Sequence, residues 1–276
     1  MIRSMFSAVS GLKGHQTMMD VIGNNIANVN TAGFKSSRVL FTDLYYQTIS
    51  AASGPTATTG GSNPTQIGYG SKVSSIDLLN TRSGFQQTGR TLDMYISGEG
   101  YFVTEDSGGT LNYTRVGAFS FDTNGNLLDA NGNFVMGQIP ALTNPVGALV
   151  NINIPNFEDY TAISIGSDGS ISGTNTNTMA IVPLGQIAIA VFNNADGLSQ
   201  QGNQYFNETV NSGAANYVMA GSPTAGSLVS GGLEMSNVDL SKEFTDMIVA
   251  QRGFQANARV ITTSDSVLEE LVNLKR

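Results

Sequence analysis

The chain of 276 residues contains no cysteine and a single histidine. The first absence removes disulfides, thiol nucleophiles, iron–sulfur clusters and cysteine-ligated zinc. The second leaves no set of imidazoles for a metal and one base, His15, for Ser-His-Asp chemistry. Charge is scarce as well: Asp, Glu, Lys and Arg make up 12% of the chain, against about 25% in ordinary globular domains. A formal net charge of −8 argues against a general polyanion binder, which needs clustered Lys and Arg. No apolar h-region follows Arg3, where Ser4, Ser7, Ser10, Lys13 and His15 stand instead, so no cleaved secretory signal is expected. The long uncharged stretches 44–71 and 130–157 are full of Thr, Ser, Asn, Gly and Pro, and neither reads as a membrane span.

What is present is unevenly placed. From Thr91 to Ser241, Arg115 stands alone against thirteen acidic residues, which gives that segment −12, while the two ends together carry +4. Such a split points to an acidic central body and mildly basic ends. The length is ample for a hydrophobic core in one or two domains.

The first thirty residues read as an amphipathic helix, with Ile2, Met5, Val9, Leu12, Met19, Ile22, Ile26 and Val29 spaced by threes and fours. Gly11, Gly14 and Gly23 lie inside it, each costing about 1 kcal/mol relative to alanine. Such a helix is marginal alone, so something outside it must stabilise it. The last forty residues carry a matching seam: Asp239 is the expected N-cap, followed by Leu240, Phe244, Met247, Phe254, Ala258, Ile261, Leu268 and Val272. Lys275 and Arg276 stand where positive charge complements a helix C-terminus. Two such seams imply that the ends pair with each other or with other copies.

Between them the texture is β. Short β-branched or aromatic runs are expected at 72–79, 91–96, 101–105, 112–121, 148–154, 162–165, 180–183 and 185–192. They are punctuated by turns at Asn124-Gly125, Asn131-Gly132 and Asp168-Gly169. The expected organisation is an axial helix over 1–33, an extended connector over 34–70, a β-rich body over 71–230, and a connector and helix over 231–276. The fold class is therefore mixed: an all-β central domain with long N- and C-terminal α-helices pairing as a coiled-coil-like axial domain.

Candidates for chemistry are weak. Asp122, Asn124, Asn126 and Asp129 mimic the start of a calcium loop, but Leu127 and Asn133 stand where that loop needs Gly and Glu, so a hairpin turn is expected. The acid pairs Glu105-Asp106, Glu158-Asp159 and Glu269-Glu270 are sequence neighbours, which do not face each other across a cleft as general acid–base work requires. Gly98-Glu99-Gly100 lacks the third glycine and following helix of a nucleotide-binding turn. No catalytic, cofactor or metal residue is nominated. Met5, Met18, Met19, Met235 and Met247 gather in or beside the terminal helices, where adaptable side chains suit helix packing.

The stretch from Val21 through Asn24, Asn25, Ile26, Asn28 and Asn30 to Gly33, Phe34 and Lys35 resembles the N-terminal signature of bacterial flagellar rod and hook proteins. Residues 233–240, 243–257 and 261–265 resemble the C-terminal signature of that family, and 92–102 and 113–119 are similar to its middle-domain motifs. Within the family, residues 60–68 and 244–254 lean towards a short hook protein, whereas the chain length also suits a distal rod protein. The resemblance implies a non-enzymatic subunit without cofactor that polymerises into a helical tube, the torque-transmitting hook in the first reading. It implies passage through the flagellar export apparatus without a cleaved signal, and a hook cap, rod and hook–filament junction proteins as partners. It also implies an extracellular flagellar location, with no nucleic acid and no membrane span. Asn25 and Asn28 join the two apolar seams as expected self-assembly residues. A secreted β-rich carbohydrate-binding or carbohydrate-active protein is the remote alternative.

Overall fold

The computed structural model describes residues 2–56, 60–138 and 149–274, with the side chain of Ile2 outside that description. Lys275, Arg276 and Ala148, which entered the expectations above, also lie outside the described residues. The protein is mostly β, with a half-barrel sheet and one helix from each end of the chain. It divides into two units. One holds residues 1–29, 36–79 and 238–276; the other holds 30–35 and 80–237.

In the first unit, helix α1 spans Ile2–Ala27 and helix α2 spans Leu240–Asn273. Asp239 caps α2, its carboxylate accepting from the amides of Ser241 and Lys242, two of the donors that a helix start leaves unsatisfied. Residues 34–70 do more than connect. Strand β1 (Ser37–Asp43) and strand β2 (Tyr46–Ser50) run out along a hairpin arm, and β3 (Thr65–Gly68) and β4 (Ser71–Leu78) return antiparallel to them. Apolar and polar residues alternate at Val39, Ile67, Val73 and Ile76 only in short stretches among Thr, Ser and Gln, so the pairing is weak in sequence.

The second unit is the β-body. Among the described residues its main sheet has twelve strands, organised around the long strand Ile181–Val191, which pairs antiparallel with Phe134–Gln138, Tyr101–Glu105, Ser170–Asn175 and Asn216–Met219. A three-stranded sheet sets Asp93–Ser97 between Ser227–Ser230 and Gly117–Ala118. The core includes Phe102, Phe119, Ile152, Ile171, Ile187 and Ile189. The rings of Phe102 and Phe119 meet edge to face at 5.0 Å, the arrangement favoured by their quadrupoles.

Three sequence runs resolve differently. Those at 180–183 and 185–192 form one strand, with Pro183 accommodated where the ladder to Ser172 slips register. The run 112–121 breaks into Leu111–Thr114, Gly117–Ala118 and Ser120–Phe121, because Arg115 leaves the ladder and turns into the interior. The Asn-Gly and Asp-Gly pairs sit in tight turns, where Gly125 and Gly169 adopt positive φ.

Candidate self-assembly surface

Within the first unit the two helices lie against one another and run antiparallel, since Gly11 faces Asn257, His15 faces Gly253, and Asn25 reaches Glu243. Small residues set the approach. A Cβ on Gly253 would stand 2.5 Å from His15 Nε2, and one on Gly11 would stand 2.9 Å from Asn257 Nδ2. A different side of α1 rests on the hairpin arm, where a Cβ on Gly14 would lie 2.8 Å from the Phe41 ring. The glycines that make α1 a poor helix in isolation are therefore where neighbours come close. Gly23 is the exception, with open space around it.

Asn25 is buried and locks the helix to the arm. Its Nδ2 donates to the carbonyl of Ser37 at 2.8 Å, and the Ser37 amide donates back to Oδ1 at 3.0 Å. Asn28 Nδ2 donates to the carbonyl and the side-chain oxygen of Asn24, bracing the end of α1. Burial pushes the Glu243 carboxyl up from its ordinary value, against the hydrogen bond from Asn25.

The expected seams are brought together only in part. Ile22 is buried, and Met5, Leu12, Met19, Ile26, Val29, Met247, Phe254, Ala258, Ile261 and Leu268 are partly covered. Val9, Leu240, Phe244 and Val272 remain exposed, Val272 to 67%. Close helix–helix approaches fall about one position away from the expected seam, at Gly11, His15 and Gly253, and Ala8 and Ala250 are buried on the same helices. Glycine leaves room for the neighbouring side chain, whereas a larger residue would hold it off. Hydrophobic spacing does not report such positions; the glycines within a helical pattern were the signal available.

Large apolar side chains are instead left on the surface. On α2 these include Phe244, Ile248, Val260, Val267 and Leu271, and on α1 Phe6. The hairpin arm shows Tyr45, Tyr46, Ile49 and Ile67, with no charged side chain between residues 44 and 71. Exposed large apolar side chains are candidates for contact surfaces.

The candidates for chemistry resolve as turns. Asp122 accepts from the Thr123 hydroxyl, the Asn124 amide and Asn126 Nδ2, and these bonds hold its carboxyl below the ordinary range. Asp129 accepts from the amides of Asn131 and Asn133 and from the Tyr205 hydroxyl. Among the described residues no three His, Cys, Asp or Glu side chains converge in a way that could hold a metal ion.

Three family profiles match successive parts of the chain: "Flagella basal body rod protein" over residues 5–35, "Flagellar hook protein FlgE/F/G D1 domain" over 95–173, and "Flagellar basal body rod FlgEFG protein C-terminal" over 229–274. The flagellar basal-body rod protein FlgG of Bacillus subtilis is 50% identical over 277 positions, covering all of both chains. The chain belongs to the flagellar rod and hook protein family. The flagellar hook protein FlgE of Borreliella burgdorferi is 31% identical over 442 positions, covering all of both chains. FlgG of Agrobacterium fabrum is 37% identical, over 96% of this chain and 97% of its own. Members of this family are structural subunits of the flagellar axis rather than enzymes. Among the described residues no helix is long and apolar enough to cross a membrane.

Proposed function

We propose that the chain is the distal rod subunit of the flagellar basal body, polymerising with its own copies into a stiff helical tube. One observation carries this reading over the hook. The Bacillus rod relative aligns end to end without a large insertion, at 50% identity over 277 positions. The hook relatives spread over 442 and 465 positions at 31% and 27%. The hook reading drawn from residues 60–68 and 244–254 gives way to that difference.

The exposed apolar residues of α1, α2 and the hairpin arm support polymerisation, because contact with further copies would remove them from water. In this reading the seams from Ile2 to Val29 and from Leu240 to Val272 form the axial domain of the tube. Their coiled-coil-like contacts are made partly within a chain and partly between chains. The subunit leaves the cell through the flagellar export apparatus without a cleaved signal, and meets other rod proteins and the hook at its ends.

The test is electron microscopy of the purified chain after salt-induced polymerisation. Straight, stiff tubes are expected; curved or bendable tubes would return the hook reading. Phe244→Asp should leave the monomer folded, because Phe244 is already half exposed, and should abolish tubes. Normal tubes from that variant would remove this face of α2 from the interface. Saturable glycan binding or cleavage by the monomer would restore the carbohydrate alternative.

A further inference from the structure

The most unusual chemistry in the β-body is a buried cluster of three charges at its closure. Lys35 and Glu234 are each 1% exposed and Arg115 is 3% exposed. Lys35 Nζ donates to Glu234 Oε1 at 2.6 Å and to the carbonyl of Thr81 at 2.9 Å. The Ser83 amide donates to the same Oε1 at 3.3 Å. Arg115 lies on the other side of the carboxylate, its Nη1 3.5 Å from Oε2, while it donates to the carbonyl of Gly98 and stacks 5.0 Å above the Tyr101 ring. Two backbone bonds tie the same passes together: the Gly33 amide to the Glu234 carbonyl, and the Asn237 amide to the Phe34 carbonyl.

The sequence positions matter as much as the distances. Once it has entered the β-body after Val29, the chain passes between its two units after Lys35, after Leu79 and after Asn237. The cluster takes one residue from beside each of these crossings: Lys35 from the first, Thr81 from the second and Glu234 from the third. The cluster also holds two cations and one carboxylate, and 199 positions separate Lys35 from Glu234. Burial draws the Lys35 ammonium below its ordinary value, and Arg115 adds to that, while Glu234 opposes both.

We propose that Lys35, Arg115 and Glu234 form a conditional clasp, in which the first and last segments of the β-body lock or release together and closure waits for Glu234. A chain that has placed Lys35 and Arg115 but not Glu234 would hold two desolvated cations with no buried counter-charge, since Glu99, the other carboxylate acting on Lys35, is exposed, and burial strongly disfavours that state. Synthesis runs from the N-terminus, so both cations precede the carboxylate that neutralises them. The β-body therefore remains open at this point until nearly the whole chain is available. The clasp lies within one unit and does not depend on polymerisation, so its test is made on the monomer.

The charge count gives the proposal a signature that a simple ion pair lacks. Removing either cation leaves a balanced pair, whereas removing the carboxylate leaves two unpaired cations. In hydrogen exchange of the monomeric full chain, Glu234→Gln is expected to speed exchange at the Gly33 and Asn237 amides together, by about 100-fold or more. The Ile187 amide, bonded to the Gly169 carbonyl in the sheet, should change less. Lys35→Met and Arg115→Met should each change Gly33 and Asn237 by no more than about 10-fold. Equal effects of Lys35→Met and Glu234→Gln would reduce the cluster to a single ion pair and overturn the proposal, as would separate responses of Gly33 and Asn237. If Glu234→Gln does not fold, the two cation variants decide: retained joint protection in both supports the clasp, and its loss in either overturns it.

Discussion

The two units of this protein use their apolar residues in opposite ways. The β-body buries Phe102, Val103, Phe119, Ile152, Ile187 and Ile189 almost completely, and its hydrogen-bonded ladders are closed by tight turns. In the helix and hairpin unit, among the described apolar side chains, only Ala8, Ile22 and Ala250 are buried, while Phe6, Phe41, Tyr45, Phe244, Val267 and Leu271 are exposed. Its close helix approaches are made at glycines, which admit neighbouring side chains but remove little apolar area of their own from water. One unit is completed by its own residues. The other leaves its larger apolar groups on the surface.

The sharpest way to break this contrast is to truncate one large side chain in each unit. Phe102→Ala should destabilise the β-body by about 3–5 kcal/mol, because a fully buried ring leaves a cavity. Leu271→Ala, on the exposed face of α2, should change the monomer by less than about 0.5 kcal/mol. Comparable losses in calorimetry of the monomer would show that the two units do not differ as described.

Smaller effects are expected where the helix unit relies on specific close contacts. Asn25→Ala leaves the Ser37 amide and carbonyl without their side-chain partner and should cost about 1–3 kcal/mol. Gly253→Val forces atoms into the space of the His15 ring and should cost a similar amount, about 1–3 kcal/mol, seen as an earlier loss of helical circular dichroism. Gly23→Ala meets nothing and should instead stabilise α1 by about 1 kcal/mol. A loss there would mean that Gly23 has a local structural role not expressed in its surroundings.

The smallest effect separates the units by sign. Glu243, in the helix unit, has its carboxyl raised above the ordinary 4.5 by burial. The folded state then binds more protons than the unfolded state from 4.5 up to the raised value, so this contribution to stability falls as pH rises through that window. Asp122 and Asp168, in turns of the β-body, are held below the ordinary 3.8 by hydrogen bonds, chiefly from the Asn124 amide and the Ser170 hydroxyl respectively. Their contribution is present above 3.8 and is lost as pH falls towards the folded values. Acid should thus favour the helix unit at Glu243 while loosening the β-turns. Urea titrations followed by helical and tyrosine signals across pH 3 to 6 would show parallel changes if these groups do not matter.

Much of the architecture was legible in local chemistry. Threes-and-fours spacing marked both helices, Asp239 marked the start of α2, and the Asn-Gly and Asp-Gly pairs marked turns, because each signal concerns neighbours within a few residues. The signatures around Asn25 and Phe254 likewise carried the family. Tertiary structure alone decided which faces of the helices meet, since apolar spacing is the same whether a seam is covered by its own chain or by another. It also decided that Gly11, Gly14 and Gly253 admit close neighbours, that Pro183 lies within a continuous strand, and that Lys35, Arg115 and Glu234 share one buried site. Those facts join residues from different elements, and no local preference encodes the distance between side chains that meet only through the fold.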